Sequence, residues 1–368
     1  MGFGDAVGPF VGLAKERFEL TNFAATLIPF VGFLMFGLLS VPMGLFQDKK
    51  GKKVTLIIGL FIALVGLVIP LFAGLESYSL FLLTILLLGA GATVLQVAGN
   101  PIMRQVSAEG MYSRNLSLGQ FVKAIGSMCG PLIPPIAAKF FGADWSVVFP
   151  IFSVSLIITM IAVGMLKVEE KKDEGSHTAS LSSCLSLLKK PYVLMMVVGI
   201  FLYVGAEVSI SSGVPLFLEQ HFGLSVSKVG ILGTGLFFLA LTIGRFSGGI
   251  LLSWMKPKKF FVVTSIVSVL SIAGLFLGIK SLSIVCFFLI GLGFANIFPL
   301  IFSITVDHMP ERTNELSGLM VTAIVGGAIL PPIMGFIADK SSVLFSFIVP
   351  LLAIVYIFII SIKSVREA

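Results

Sequence analysis

The residues "VPMGLFQDKKGKK" (41–53) return in position and character as "FSGGILLSWMKPKK" (246–259), an interval of about 200 residues. Each copy is an apolar run with glycine that ends in a cluster of lysines. A second pair repeats at the same interval: "FVKAIGSMCGPLIPPIAA" (121–138) and "MVTAIVGGAILPPIMGFIA" (320–338). An even number of apolar runs separates the copies, so both halves run in the same direction. Two parallel six-helix halves are one of the layouts that place a substrate site at the midplane between the halves.

Composition supports a chain that lives in lipid. Hydrophobic residues make up 57% and charged residues 12%, and mean hydropathy is +1.08, whereas a soluble chain carries about twice that charge. The 39 glycines suit helices that approach closely in a bilayer. The alternating ten-residue segments of a membrane β-barrel are absent. The net charge of +7 sits in short clusters between apolar runs, which excludes a basic nucleic-acid domain. Cys129, Cys184 and Cys286 are too few and too scattered for a disulfide framework or a metal site. No cleavable signal peptide is visible at the start.

Runs long enough to span cover Asn22 to Phe46, Val54 to Ala73, Leu80 to Met103, Leu116 to Phe141 and Trp145 to Leu166. After the polar stretch "KVEEKKDEGSHTASLSSCLSLLKK" they cover Tyr192 to Leu218, Val229 to Met255, Phe260 to Ile279, Ile284 to Val306, Leu316 to Ala338 and Val343 to Ile362. The expected organisation is an all-α integral membrane protein with an N-terminal bundle at 1–166, a linker at 167–190 and a C-terminal bundle at 191–368. Twelve helices complete the pattern if Met1 to Ala14 is the C-terminal half of a first helix whose beginning is missing. The loops with Lys49, Lys50, Lys52, Lys53, Arg104, Arg114, Lys256, Lys258, Lys259 and Arg312, together with the linker and the tail, outweigh the opposite set in lysine and arginine. By the positive-inside rule both termini are cytoplasmic, in a bacterial-type inner membrane.

The loop "GLFQDKKGKK" (44–53) resembles the signature loop between the second and third helices of the major facilitator superfamily. In this loop Gly44 allows close helix approach, Asp48 caps a helix or pairs with a base, and Gly51, Lys52 and Lys53 complete the turn and anchor it at headgroups. A narrower resemblance lies in "LQVAGNPIMRQV" (95–106), "RNLSLGQFVKAIGS" (114–127), "YVGAEVSI" (203–210), "IGRFSGG" (243–249), "IFPLIFSI" (297–304) and "GGAILPPIMGFIAD" (326–339). These motifs are similar to the fucose permease branch of sugar porters, which takes in glucose and galactose permeases. The resemblance implies a proton-coupled sugar transporter acting by alternating access, with no cofactor, no nucleic-acid partner and a monomeric state. Sodium coupling and uniport stay open, as does the identity of the sugar.

The same resemblance sets Asp5 at the branch's protonatable aspartate and Gln96 where fucose permease has a coupling glutamate. Asn100 and Pro101 match its Asn-Pro pair, Gln120 a fifth-helix glutamine, and Lys123 a position occupied there by asparagine. Two changes thus depart from the pattern: a carboxylate has become an amide, and an amide a lysine.

Spacing points the same way without the family. Gln96 and Asn100 share a helix face, as do Gln120 and Lys123. Amides offer both donors and acceptors, which suits the hydroxyls of an uncharged sugar. Glu207 and Asn296 are the polar candidates of the second half. Arg245, near the end of its helix, is expected to snorkel or pair in the gate region. Phe121, Phe201 and Tyr203 could stack on a sugar ring but fit packing better. A lysine mid-span costs about 2.5–3.5 kcal/mol on insertion scales, so Lys123 needs a carboxylate partner, cavity water or the loss of its proton through desolvation. The expected partners are Asp5, in a switchable coupling pair, or Glu207. A nucleophilic pair of Ser127 with Lys123 lacks an oxyanion motif, so an enzyme is not expected. The alternatives to a porter are a sugar sensor on the same fold and an inactive truncated porter.

Overall fold

The computed structural model describes Ala14, residues 17–20, 22–142, 145–166, 181–223 and 235–366. They form the helices α1 (Asn22–Lys50), α2 (Lys52–Ala73), α3 (Tyr78–Val106), α4 (Tyr112–Phe141) and α5 (Val148–Met165), then the short α6 (Leu181–Leu187). The second half holds α7 (Pro191–Phe222), α8 (Leu236–Leu251), α9 (Pro257–Leu275), α10 (Lys280–Phe294), α11 (Ile297–His308), α12 (Thr313–Thr322), α13 (Gly326–Lys340), α14 (Val343–Ser346) and α15 (Ile348–Arg366). Among the described residues nine helical segments are long and apolar enough to cross a membrane. The other two expected spans are α8, apolar over its 16 described residues, and α4, which carries Arg114, Lys123 and Lys139 along 30 residues.

Three expected spans prove to be broken, the last of them at Phe347 between α14 and α15, and proline accounts for the first. Pro299 has no N–H for the carbonyl of Ala295, and the helix interrupts one residue later, at Asn296 (φ −113°, ψ 1°), separating α10 from α11. The second break is a 3-10 turn at Ala323–Val325 between α12 and α13. There Gly326 and Gly327 offer little helix propensity, and Pro331 and Pro332 cannot donate to the carbonyls of Gly327 and Ala328.

The chain packs as two compact units, one of Met1–Gln105, Val122–Ser186 and Glu311–Thr322, the other of Val106–Phe121, Leu187–Pro310 and Ala323–Ala368. Each unit takes one short segment from the opposite half of the sequence. In the first, α12 lies along α1: a Cβ on Gly44 would stand 3.2 Å from the Asn314 carbonyl oxygen and 3.3 Å from Gly318 Cα. In the second, the start of α4 lies on α8, where a Cβ on Gly249 would stand 2.5 Å from Leu118. The repeat legible in the sequence therefore recurs in the packing.

The first unit is cored by Leu60, Leu67, Phe81, Ile85, Phe149 and Phe152, with Gly89 against the Gly32 backbone and Gly91 against Ala63. The second is cored by aromatic edges, such as Phe217 on Phe287 and Phe347 at 5.7 and 5.5 Å. Outward faces are apolar as well: Phe72, Ile158, Leu270 and Leu352 are exposed, as lipid-facing residues are. Hydroxyls on such helices need internal partners. On α9, Ser265, Ser268 and Ser271 each donate to the carbonyl four residues earlier.

One of these repairs crosses between helices. Pro101 leaves the Val97 carbonyl of α3 without its helical donor, and the Ser317 hydroxyl of α12 donates to it at 2.9 Å. Ser317→Ala strands that buried carbonyl and is expected to cost about 1–3 kcal/mol. A thermal melt in detergent checks this; an unchanged midpoint would show that the carbonyl has another donor.

Candidate functional site

The first unit holds Gln96 and Asn100 on α3, 2% and 3% exposed. The same turn of α3 carries the Val97 carbonyl that Ser317 holds, so the polar face of this helix is fixed by α12. Lys123, on the half of α4 that belongs to this unit, is half-buried. Ser127 donates to the Lys123 carbonyl at 3.1 Å. Asp5, the expected partner of Lys123, lies outside the described residues.

In the second unit Gln120 is 5% exposed on α4. Phe121 beside it packs on Phe246 at 5.1 Å. The charged centre of this unit is Glu207, midway along α7, with Arg245 of α8: Nη2 and Oε1 are 3.4 Å apart. Arg245 is buried, 7% exposed, where the expectation had it snorkelling, and it pairs with a carboxylate in the middle of a helix. Tyr203 lies one turn before Glu207 and interacts with both charges. Its hydroxyl donates to the Phe294 carbonyl at 3.0 Å, satisfying the last carbonyl of α10, which the break at Asn296 has left open.

Asn296 is held nearby on structural duty. Its amide nitrogen donates to the Gly244 carbonyl at 2.7 Å, and a Cβ on Gly248 would fall 2.1 Å from it. That bond uses one N–H of the amide at the crossing of α8 with the α10–α11 break, and the amide oxygen is buried with no hydrogen-bond partner.

Two lysines of the basic loop are tied to protein. Lys53 donates to the carbonyls of Gly164 and Leu166 at 2.8 and 2.6 Å, so a cation sits on the negative end of α5. Lys52 reaches Gln105 at 3.2 Å. Gly51 turns the chain between α1 and α2 at φ +92°, where a side chain would be strained. Asp48 accepts from the Asn314 amide at 2.9 Å, joining this loop to α12.

Sequence reading missed the cluster beside that contact. Arg312 pairs with Glu315 and donates to the Ser183 carbonyl at 3.2 Å, while the Ser183 hydroxyl donates to Glu315. The linker helix α6 is thus bound to the start of α12. The i,i+3 spacing of Arg312 and Glu315 was available as a signal; the partner on α6 was not. Cys184 is buried next to this cluster. Burial first, then the charges of Glu315 and Asp48 against the opposing Arg312, push its thiol up to about 11. The thiol's contribution to stability is full below the unfolded value near 9 and is lost as pH rises toward the folded one. In a Cys129→Ser/Cys286→Ser background, maleimide is expected to label native protein at pH 7.5 at least tenfold more slowly than denatured protein; equal rates would contradict the burial.

Residues 1–330 match the Major Facilitator Superfamily. A putative glucose/galactose transporter of Helicobacter pylori is 30% identical over 96% of this chain and 91% of its own. The L-fucose-proton symporter of Escherichia coli is 25% identical over 89% and 81%. The crystal structure of the E. coli fucose:proton symporter superposes with a TM-score of 0.86 at 20% identity, covering 99% of this chain and 96% of that one. With the parallel repeat, the glycine-mediated crossings and these similarities together, the chain belongs to the Major Facilitator Superfamily, in the branch that holds the glucose/galactose transporters and the L-fucose-proton symporters.

Proposed function

We propose that this chain is a secondary active transporter that imports a hexose-type sugar by alternating access, driven by protons. The observation that carries the reading is the full-length similarity to transporters named for glucose, galactose and L-fucose. Side-chain chemistry supports it: Gln96, Asn100 and Gln120 are amides buried in otherwise apolar helices, able to donate to and accept from sugar hydroxyls. Lys123 and Glu207 complete the substrate path in this reading, and Asp5, Lys123 and Glu207 are the groups that carry coupling. The crossings at Gly44 and Gly249, both next to basic clusters, are the contacts that separate during the cycle. The expected setting is a monomer in the cytoplasmic membrane, both termini inside.

Counterflow tests this directly. Proteoliposomes preloaded with unlabelled sugar and given no ion gradient take up trace labelled sugar only if a carrier exchanges it. Specific uptake is expected for at least one of glucose, galactose and L-fucose. Saturable binding of these sugars without exchange would contradict transport and favour a sensor.

A further inference from the structure

We infer that Glu207 is the site where the coupling proton binds and that Arg245 is its counter-ion, released to a sugar hydroxyl when the proton arrives. The inference rests on the transport reading above. It starts from geometry: a guanidinium that is 7% exposed and a carboxylate whose side chain is 19% exposed meet at 3.4 Å, looser than the 2.7–2.9 Å of a fully formed charge-assisted bond. The Nε of Arg245 is buried with no hydrogen-bond partner, so a donor of this fork stands ready for an acceptor. An ionisable pair inside a membrane helix bundle is a functional-site hypothesis by default.

Arg245 is the charge set against Glu207 from α8, at 3.4 Å. From α13, Leu330 meets Gly205 and Met334 meets Gly213; from α10, Phe294 faces Tyr203 at 5.6 Å. Phe347, at the α14 end, meets α7 at Phe217. The titratable side chains that meet α7 elsewhere are remote along it. Tyr356 of α15 bonds the Met195 carbonyl, His308 of α11 stacks on Tyr192, and His221 stacks on Phe217 at the far end. All are about three turns or more from Glu207. Tyr203 lies on the same face one turn away, and its hydroxyl is anchored on Phe294. Tyr203 is therefore a positioning residue.

The exchange balances. A proton adds to a Glu207 oxygen and the ion contact opens; Arg245, always charged, turns its donors to the oxygen of a sugar hydroxyl. Proton and guanidinium compete for one carboxylate, while carboxylate and sugar compete for one guanidinium. Binding of sugar and proton thus favour each other, as reciprocal linkage requires. The departure of Gln96 from the branch's glutamate leaves room for this role in the second half of the chain.

The test compares exchange with driven uptake in proteoliposomes of wild type, Glu207→Gln and Tyr203→Phe. Glu207→Gln is expected to lose more in driven uptake than in counterflow: its accumulation under an imposed inward proton gradient falls to the equilibrium ratio. Its sugar affinity loses the pH dependence of wild type. Tyr203→Phe is expected to retain coupling with a shifted pH profile. Because Glu207→Gln alone could misfold, proton uptake on sugar addition to wild type in weak buffer provides a second reading: about one proton per sugar is expected, and none overturns the inference. Uphill accumulation by Glu207→Gln with an unchanged pH profile also overturns it, while leaving the transport reading intact. Failure of wild type to exchange any sugar would instead remove that reading.

Discussion

Gly326→Ala is expected to destabilise the chain by about 3 kcal/mol or more, whereas Gly335→Ala on the same helix is expected to stabilise it by about 0.5–1 kcal/mol. A Cβ on Gly326 would lie 2.0 Å from the Phe201 carbonyl oxygen and 2.8 Å from its carbon. Both atoms are backbone of α7, so no rotamer change relieves the clash; the helices themselves must part. A Cβ on Gly335 meets nothing within 4 Å, so alanine there gains only its helix propensity. Each variant's thermal midpoint in detergent, followed through Trp145 and Trp254, measures the contrast. Equal midpoints would mean that α7 and α13 are not in this close crossing.

Arg245→Met is expected to cost about 3 kcal/mol, because removing one partner leaves the other as an uncompensated charge in the bundle. Arg245→Met/Glu207→Leu should recover most of that loss, since a buried pair replaced by apolar residues is often neutral. The double-mutant cycle isolates the pair from the lost packing of each side chain. A strictly additive double variant would show that Glu207 and Arg245 do not share an interaction, and would remove the geometry on which their proposed coupling rests.

The fold was legible because its signals are long and repeated. Apolar runs, basic loops and the parallel repeat sufficed for an all-helical membrane protein in two repeats, and the breaks at Asn296 and at Ala323–Val325 were written locally, in Pro299 and in the glycines and prolines of "GGAILPP". The polar contacts were legible only where they are local. Arg312 and Glu315 stand one turn apart, but Arg245 and Glu207 are separated by 38 residues and Asn314 and Asp48 by 266, distances at which no spacing rule operates. Arg245 read as a snorkelling or gate-pairing residue because its position suggested the end of a helix, and sequence cannot say that α7 brings a carboxylate to it. Asn296 read as a ligand because a mid-span amide suits both sugar and helix packing. Its choice of Gly244 follows from Gly248, which clears the space for the amide.

The central claim, that this chain couples a proton to the entry of a sugar, is tested most directly by accumulation in proteoliposomes with an imposed inward proton gradient and labelled glucose, galactose or L-fucose inside a panel of hexoses. The account predicts that one of these sugars rises above its outside concentration, and that collapsing the gradient with a protonophore returns it to equilibrium. Equilibration of that sugar without accumulation, at the same rate with and without the gradient, would contradict proton coupling.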